Sequence, residues 1–146
     1  MDDTLFLAGS PPVDRGKLLD LLKTGAPSRI VVVSSMTHSS GGLDLDDLQM
    51  HRGYDGYRAY SRSKLANLLF AYALARRLEG TGVTVNALHP GVIATKLLHA
   101  SFSGGSPVAT GAETPVYLAT APEIRGVSGR YFVGRREARS SPDSHD

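Results

Sequence analysis

The segment Ile30-Val31-Val32-Val33 is β-branched at every position with no polar alternation, and it leaves few structures open to the chain. Such side chains are stiff at the first torsion and suit extended backbone. A strand that is apolar on both alternations must be buried on both faces, which is the setting of a parallel strand in a layered α/β domain. The pattern predicts a strand over Arg29–Ser35, preceded by the helix-ending turn Gly25-Ala26-Pro27.

The neighbouring segments fit that setting. Gly16–Thr24 places Leu18, Leu19, Leu21 and Leu22 between lysines, which predicts a short amphipathic helix. Tyr57–Glu79 is rich in Ala and Leu, and Leu65, Leu69 and Tyr72 recur at i, i+4 and i+7, so a long helix is expected, stopped by Gly80 and Gly82. Val83–Leu88 reads as a second strand, ended by His89-Pro90-Gly91 because Pro90 cannot donate to a ladder. A strand, a helix and a further strand make a right-handed crossover, with the strands parallel and the helix on one face. Ala112–Thr120 predicts another short helix and Gly129–Val133 another strand. The expectation is a single α/β domain over residues 15–134 with about three strands and helices packed on them. Residues 1–14 are expected to form an irregular lead-in, Met36–Gly56 a loop, and residues 135–146 a disordered tail.

Composition excludes several classes of function. With 146 residues, 41% hydrophobic and 21% charged, the chain can build one core. A net charge of +2, with arginines scattered except near Arg130, Arg135, Arg136 and Arg139, argues against nucleic acid as a partner. The absence of cysteine rules out disulfides, thiolate metal sites and cysteine nucleophiles. His38, His51, His89, His99 and His145 lack the i, i+4 spacing that pairs ligands on a helix, so no metal site is expected. No apolar run approaches the ~20 residues of a membrane span. Met1-Asp2-Asp3-Thr4 lacks the basic start of a secretory signal, and a cytoplasmic location is the expectation.

Three places could carry chemistry. Tyr60, Ser63 and Lys64 fall at i, i+3 and i+4 of the long helix, which puts a phenol and an ammonium on one face. A phenol titrates near pH ~10, and a nearby cation favours the phenolate, so Lys64 could make Tyr60 a proton donor and acceptor. The same spacing also suits a packed tyrosine beside a solvated lysine. Ser34 and Ser35 end the first buried strand, where parallel sheets bind ligands, although serines also serve strand exits as turn residues. Pro90-Gly91-Val92-Ile93-Ala94-Thr95 follows the second strand and could read a flat amide, or could simply break a strand and cap a helix. A serine hydrolase built on Ser35, His38 and Asp44 is disfavoured, because no G-x-S-x-G elbow surrounds either Ser34 or Ser35.

In this order, Val33-Ser34-Ser35, Tyr60-Ser61-Arg62-Ser63-Lys64 and Pro90-Gly91-Val92-Ile93-Ala94-Thr95 resemble the short-chain dehydrogenase/reductase family. Ala26-Pro27-Ser28-Arg29-Ile30-Val31 and Ser63-Lys64-Leu65-Ala66-Asn67 look most like its retinol-dehydrogenase-like branch. The resemblance, over roughly residues 16 to 134, implies an incomplete Rossmann-like, doubly wound parallel sheet. It implies that Tyr60 is the general acid/base, that Ser35 hydrogen-bonds the substrate oxygen, and that Lys64 lowers the phenol pKa and binds the nicotinamide ribose. Pro90, Gly91, Val92, Ile93 and Thr95 would hold the carboxamide. The implied reaction is hydride transfer between NAD(P) and a small lipophilic alcohol or carbonyl compound.

The family's glycine-rich turn, its ribose selector and its Asn-Ala-Gly segment have no match before Ser35. The resemblance therefore implies the C-terminal catalytic half alone, as a fragment, a misassigned start or a chain that needs a partner, with a first strand that lacks a neighbour and exposes an apolar edge. The competing expectation is a non-catalytic fragment or interaction module that pairs with a full-length relative. Homo-oligomer contacts would then run through the strand edge or the long helix.

Overall fold

A computed structural model describes residues 4–6, 15–94 and 104–145, with the backbone alone for 4–6 and 15–17. Its sheet is built from β1 (Thr4–Phe6), β2 (Ser28–Val33), β3 (Val83–His89), β4 (Arg130–Val133) and β5 (Arg136–Ala138). These five strands lie in the order β1-β2-β3-β4-β5. The first four run parallel and β5 is antiparallel to β4. The helices are α1 (Arg15–Thr24), α2 (Gly56–Arg77) and α3 (Val108–Thr120).

The β-branched run divides as the pleat requires. Ile30 and Val32 point into one core with Leu68, Ala71, Tyr72, Ala75 and Leu22, which come from α2 and α1. Val31 points to the other face and packs with Leu118 of α3, Leu88 and Phe132. Side chains of a strand alternate between faces, so one uniform apolar stretch serves two cores. The class is therefore α/β with helices on both faces of an open sheet, as expected.

Two segments differ from the sequence expectation. β1 occupies part of the expected irregular lead-in, and Thr4, Leu5 and Phe6 pair in register with Arg29, Ile30 and Val31. Three residues are too few to show a period, and the open N–H and C=O groups along β2 favour any strand that reaches them. Consequently β2 has a neighbour on each side, and among the described residues the edge on that side of the sheet is β1. The expected frayed tail contains β5, and Val133 pairs with Arg136 across a two-residue turn. Gly134 and Arg135 have φ values of 55° and 65°, which a right-handed hairpin turn of this length requires. With β1 and β5 the sheet exceeds the three strands expected.

α2 begins where Asp55 accepts a hydrogen bond from the Arg58 N–H at 2.7 Å, capping the otherwise unpaired first turn. The segment before it is shaped by short 3-10 turns at Met36–Ser40 and Leu45–Asp47. Arg62, nearly buried, donates from its guanidinium to the carbonyls of Gly42, Asp47 and Leu48, which holds this connection against α2. Among the described residues no helix is long and apolar enough to cross a membrane, and no group of three or more His, Cys, Asp or Glu could hold a metal ion.

Candidate active site

β2, β3 and the first turns of α2 bring the sequence-predicted residues to one end of the sheet, the carboxyl end of its parallel strands. Ser34 and Ser35 follow β2 directly and are both buried. The Ser34 hydroxyl donates to the Lys64 carbonyl at 2.7 Å, and its N–H donates to the Leu88 carbonyl at 2.7 Å. Below it, the Asn67 amide donates to the Val33 carbonyl at 3.0 Å. These bonds fasten the end of β2 to α2 and to β3. Ser35 takes the cap position of the next turn, where its hydroxyl accepts from the Thr37 N–H at 3.3 Å.

Tyr60 and Lys64 stand one turn apart on α2. The Lys64 ammonium lies over the Tyr60 ring, 5.2 Å from its centroid, an arrangement favoured by the negative face of the ring. Burial lowers the pKa of Lys64 below its ordinary value. Ser63, the other member of the spacing, turns back on its own helix, donating to the Tyr60 carbonyl at 2.6 Å, and is exposed.

Gly41 explains how the turn after Ser35 approaches α2 so closely. A Cβ at that position would lie 2.5 Å from the Ser61 carbonyl oxygen and 2.8 Å from its carbon. Only glycine allows that contact, since neither backbone can give way.

The Pro90-Gly91 turn leaves β3 at the same end. Gly91 has a φ of 99°, a left-handed conformation that other residues adopt only under strain. Val92 and Ala94 are tied to Ser106 by backbone hydrogen bonds of 2.8 and 2.9 Å, and Ile93 bridges Ser106 in parallel. Thr95 lies outside the described residues. Pro90, Gly91, Val92 and Ile93 thus form a turn that follows β3 and runs alongside Ser106.

Two histidines at this end were considered in the sequence only as metal ligands or, for His38, as a hydrolase base. His38 is buried and bonds the Ser35 carbonyl through Nδ1 at 2.6 Å. His89 is buried directly before Pro90, its Nδ1 has no partner among the described residues, and its pKa is lowered chiefly by burial. Their signal in the sequence is position, since each adjoins a predicted site segment, but no spacing reveals what they contact. Ser34, one of the two candidate serines, makes the clamp, and Asn67, which the sequence offers only within the Ser63–Asn67 resemblance, holds the end of β2.

Comparison with known proteins adds a second line. The family profile for short chain dehydrogenases matches residues 16–104. Retinol dehydrogenase 14 of Homo sapiens is 48% identical over 143 residues, spanning 88% of this chain and 43% of the relative. The chain thus spans less than half the length of that relative. A crystal structure of a Mycobacterium paratuberculosis protein superposes with a TM-score of 0.62 at 32% identity, covering 81% of this chain and 44% of the other. The 4-hydroxyisoleucine dehydrogenase complexed with NADH shares the fold, with a TM-score of 0.57 at 21% identity over 82% of this chain and 50% of its own.

Proposed function

Because this chain belongs to the short-chain dehydrogenase family, we propose that it carries the catalytic face of an NAD(P)-dependent oxidoreductase of the retinol-dehydrogenase-like branch. The substrate is a small lipophilic alcohol or carbonyl compound. The observation that carries this reading is the Lys64 ammonium over the Tyr60 ring, one turn from the clamp that Ser34 makes to α2.

A nicotinamide fits the residues present. The open-backbone turn at Gly91 permits close approach of a flat carboxamide, with Pro90, Val92 and Ile93 around it. Lys64 is half-buried and bears donors for ribose hydroxyls. The bound nicotinamide supplies the site that gains or yields the hydride.

The chain's own residues manage the proton and the oxygen. Ser35 orients the substrate oxygen by a hydrogen bond from its hydroxyl. In oxidation Tyr60 takes the hydroxyl proton of the alcohol as the carbon loses its hydride and the carbonyl forms; in reduction Tyr60 returns the proton to the oxygen. Lys64 stabilises the phenolate during this exchange.

A fluorescence titration of the 146-residue chain with NADPH and NADH tests the reading, with Tyr60→Phe/Lys64→Ala as the comparison. Saturable binding that weakens in the double variant is expected. A folded chain that binds neither nucleotide overturns it. A second reading, a module that pairs with another chain, is favoured by β1, a three-residue strand at the open edge of the sheet. Sedimentation of the same sample distinguishes the two, since this reading requires concentration-dependent association.

A further inference from the structure

We propose that His38 is a positioning residue for Ser35, and that it does this by tying the turn bearing Ser35 to the C-terminal segment at Ser141. The inference rests on the reading of Ser35 as the group that holds the substrate oxygen.

The hydrogen-bond partners determine which ring nitrogen carries the proton. The Ser35 carbonyl can only accept, so Nδ1 donates to it at 2.6 Å. The Ser141 N–H can only donate, so Nε2 accepts from it at 3.0 Å. The imidazole is therefore neutral, with its proton on Nδ1. Both nitrogens are used between segments 103 positions apart.

The ring is also held from the side. His38 meets the Tyr131 ring edge-on at 5.2 Å and 71°, a favourable aromatic geometry. With the ring fixed, the Ser35 carbonyl is fixed, and so is the cap in which the Ser35 hydroxyl accepts from Thr37.

Ser141 in turn belongs to a docked segment. Tyr72 of α2 hydrogen-bonds Ser140 at 2.8 Å and stacks on His145 at 5.1 Å. The Ser144 hydroxyl, fully buried, donates to the Ser141 carbonyl at 2.6 Å and lies 2.7 Å from the Ser140 hydroxyl, all within the same segment. Such bonds give the Ser141 N–H a definite position from which to direct His38. The C-terminal segment is thus part of the support of the candidate site, although it lies far from it in sequence.

Residue-resolved hydrogen exchange on the full chain tests the coupling. Ser141→Pro removes the N–H, and with it a hydroxyl that makes no hydrogen bond among the described residues, while keeping the backbone angle, because φ at Ser141 is −61°, the value proline adopts. His38→Asn keeps a donor near Nδ1 and drops the acceptor, whereas His38→Gln keeps an acceptor near Nε2. The Thr37 amide is expected to exchange roughly three- to tenfold faster in Ser141→Pro and His38→Asn, the scale of one lost hydrogen bond. The Val85 amide, bonded to Ser128 in the core, should not change. Unaltered Thr37 exchange in both variants overturns the proposal. If Val85 also accelerates in those two variants, His38→Gln decides, because it keeps the acceptor for Ser141 and loses the donor to Ser35: Thr37 accelerating more than Val85 there upholds the coupling, and Thr37 accelerating no more than Val85 overturns it. Exchange reads the Ser35 turn without cofactor or substrate. A chain that binds no nicotinamide therefore removes the catalytic reading and leaves this one measurable.

Discussion

The Ser34 hydroxyl donates to the Lys64 carbonyl at 2.7 Å, so the end of β2 is attached to the helix turn that bears the candidate catalytic lysine. Ser34 is nearly inaccessible, and water cannot replace the bond on removal. Ser34→Ala should lower stability by about 1 kcal/mol in urea denaturation and should weaken nicotinamide binding, because Lys64 loses a constraint. Unchanged stability would show that the clamp contributes nothing.

Gly41 and Gly42 are adjacent and should respond in opposite ways. Gly41→Ala drives a Cβ into the Ser61 backbone, whereas a Cβ at Gly42 meets nothing within 4 Å. Overpacking against backbone costs about 1–3 kcal/mol, and Gly42→Ala should be close to neutral. Thermal melts of the two variants, compared with the parent, check this contrast; equal melting temperatures would remove the close approach from the account of the site.

Acid should act through His89. Its pKa is lowered from 6.5, chiefly by burial. Below that value the unfolded chain takes up a proton that the folded chain resists, so stability is present above pH 6.5 and declines as pH falls below it. His89→Gln should flatten this part of the profile. Urea midpoints at pH 7.5 and 5.5, taken on both proteins, give the comparison, and parallel losses in the two would assign the acid sensitivity elsewhere.

Alkali should act through Tyr131, whose phenol burial pushes up to about 12, with Tyr72 adding to the shift. The sign is opposite to that of His89. Between the ordinary value of 10 and about 12, the unfolded chain releases a proton that the folded chain keeps, so stability is lost as pH rises. Tyr131→Phe should retain more stability than the parent from pH 10 upward, as followed by circular dichroism. A parent that is no more alkali-sensitive than the variant contradicts the assignment.

Hydrophobic period alone carried much of the fold. The β-branched run at Ile30–Val33 could satisfy both of its faces only inside a layered parallel sheet, and the Leu65, Leu69 and Tyr72 spacing could satisfy its apolar face only as a helix laid on that sheet. Both were legible because a repeating pattern is local. The site was legible to the same extent. Ser35, Tyr60, Lys64 and Pro90–Ile93 sit at element ends or on one helix face, where position follows from the element.

What the sequence by itself determined is thus the α/β class, the parallel arrangement of β2 and β3, and the placing of Ser35 at the end of β2 and of Tyr60 and Lys64 on α2. Tertiary structure decided the rest. β1 forms because β2 offers unpaired backbone groups, and β5 because Gly134 and Arg135 adopt positive φ. Neither cause has a period. Likewise His38 carries no signal of its partners, since its two hydrogen bonds join Ser35 and Ser141, and contacts between distant segments exist only once the chain has folded.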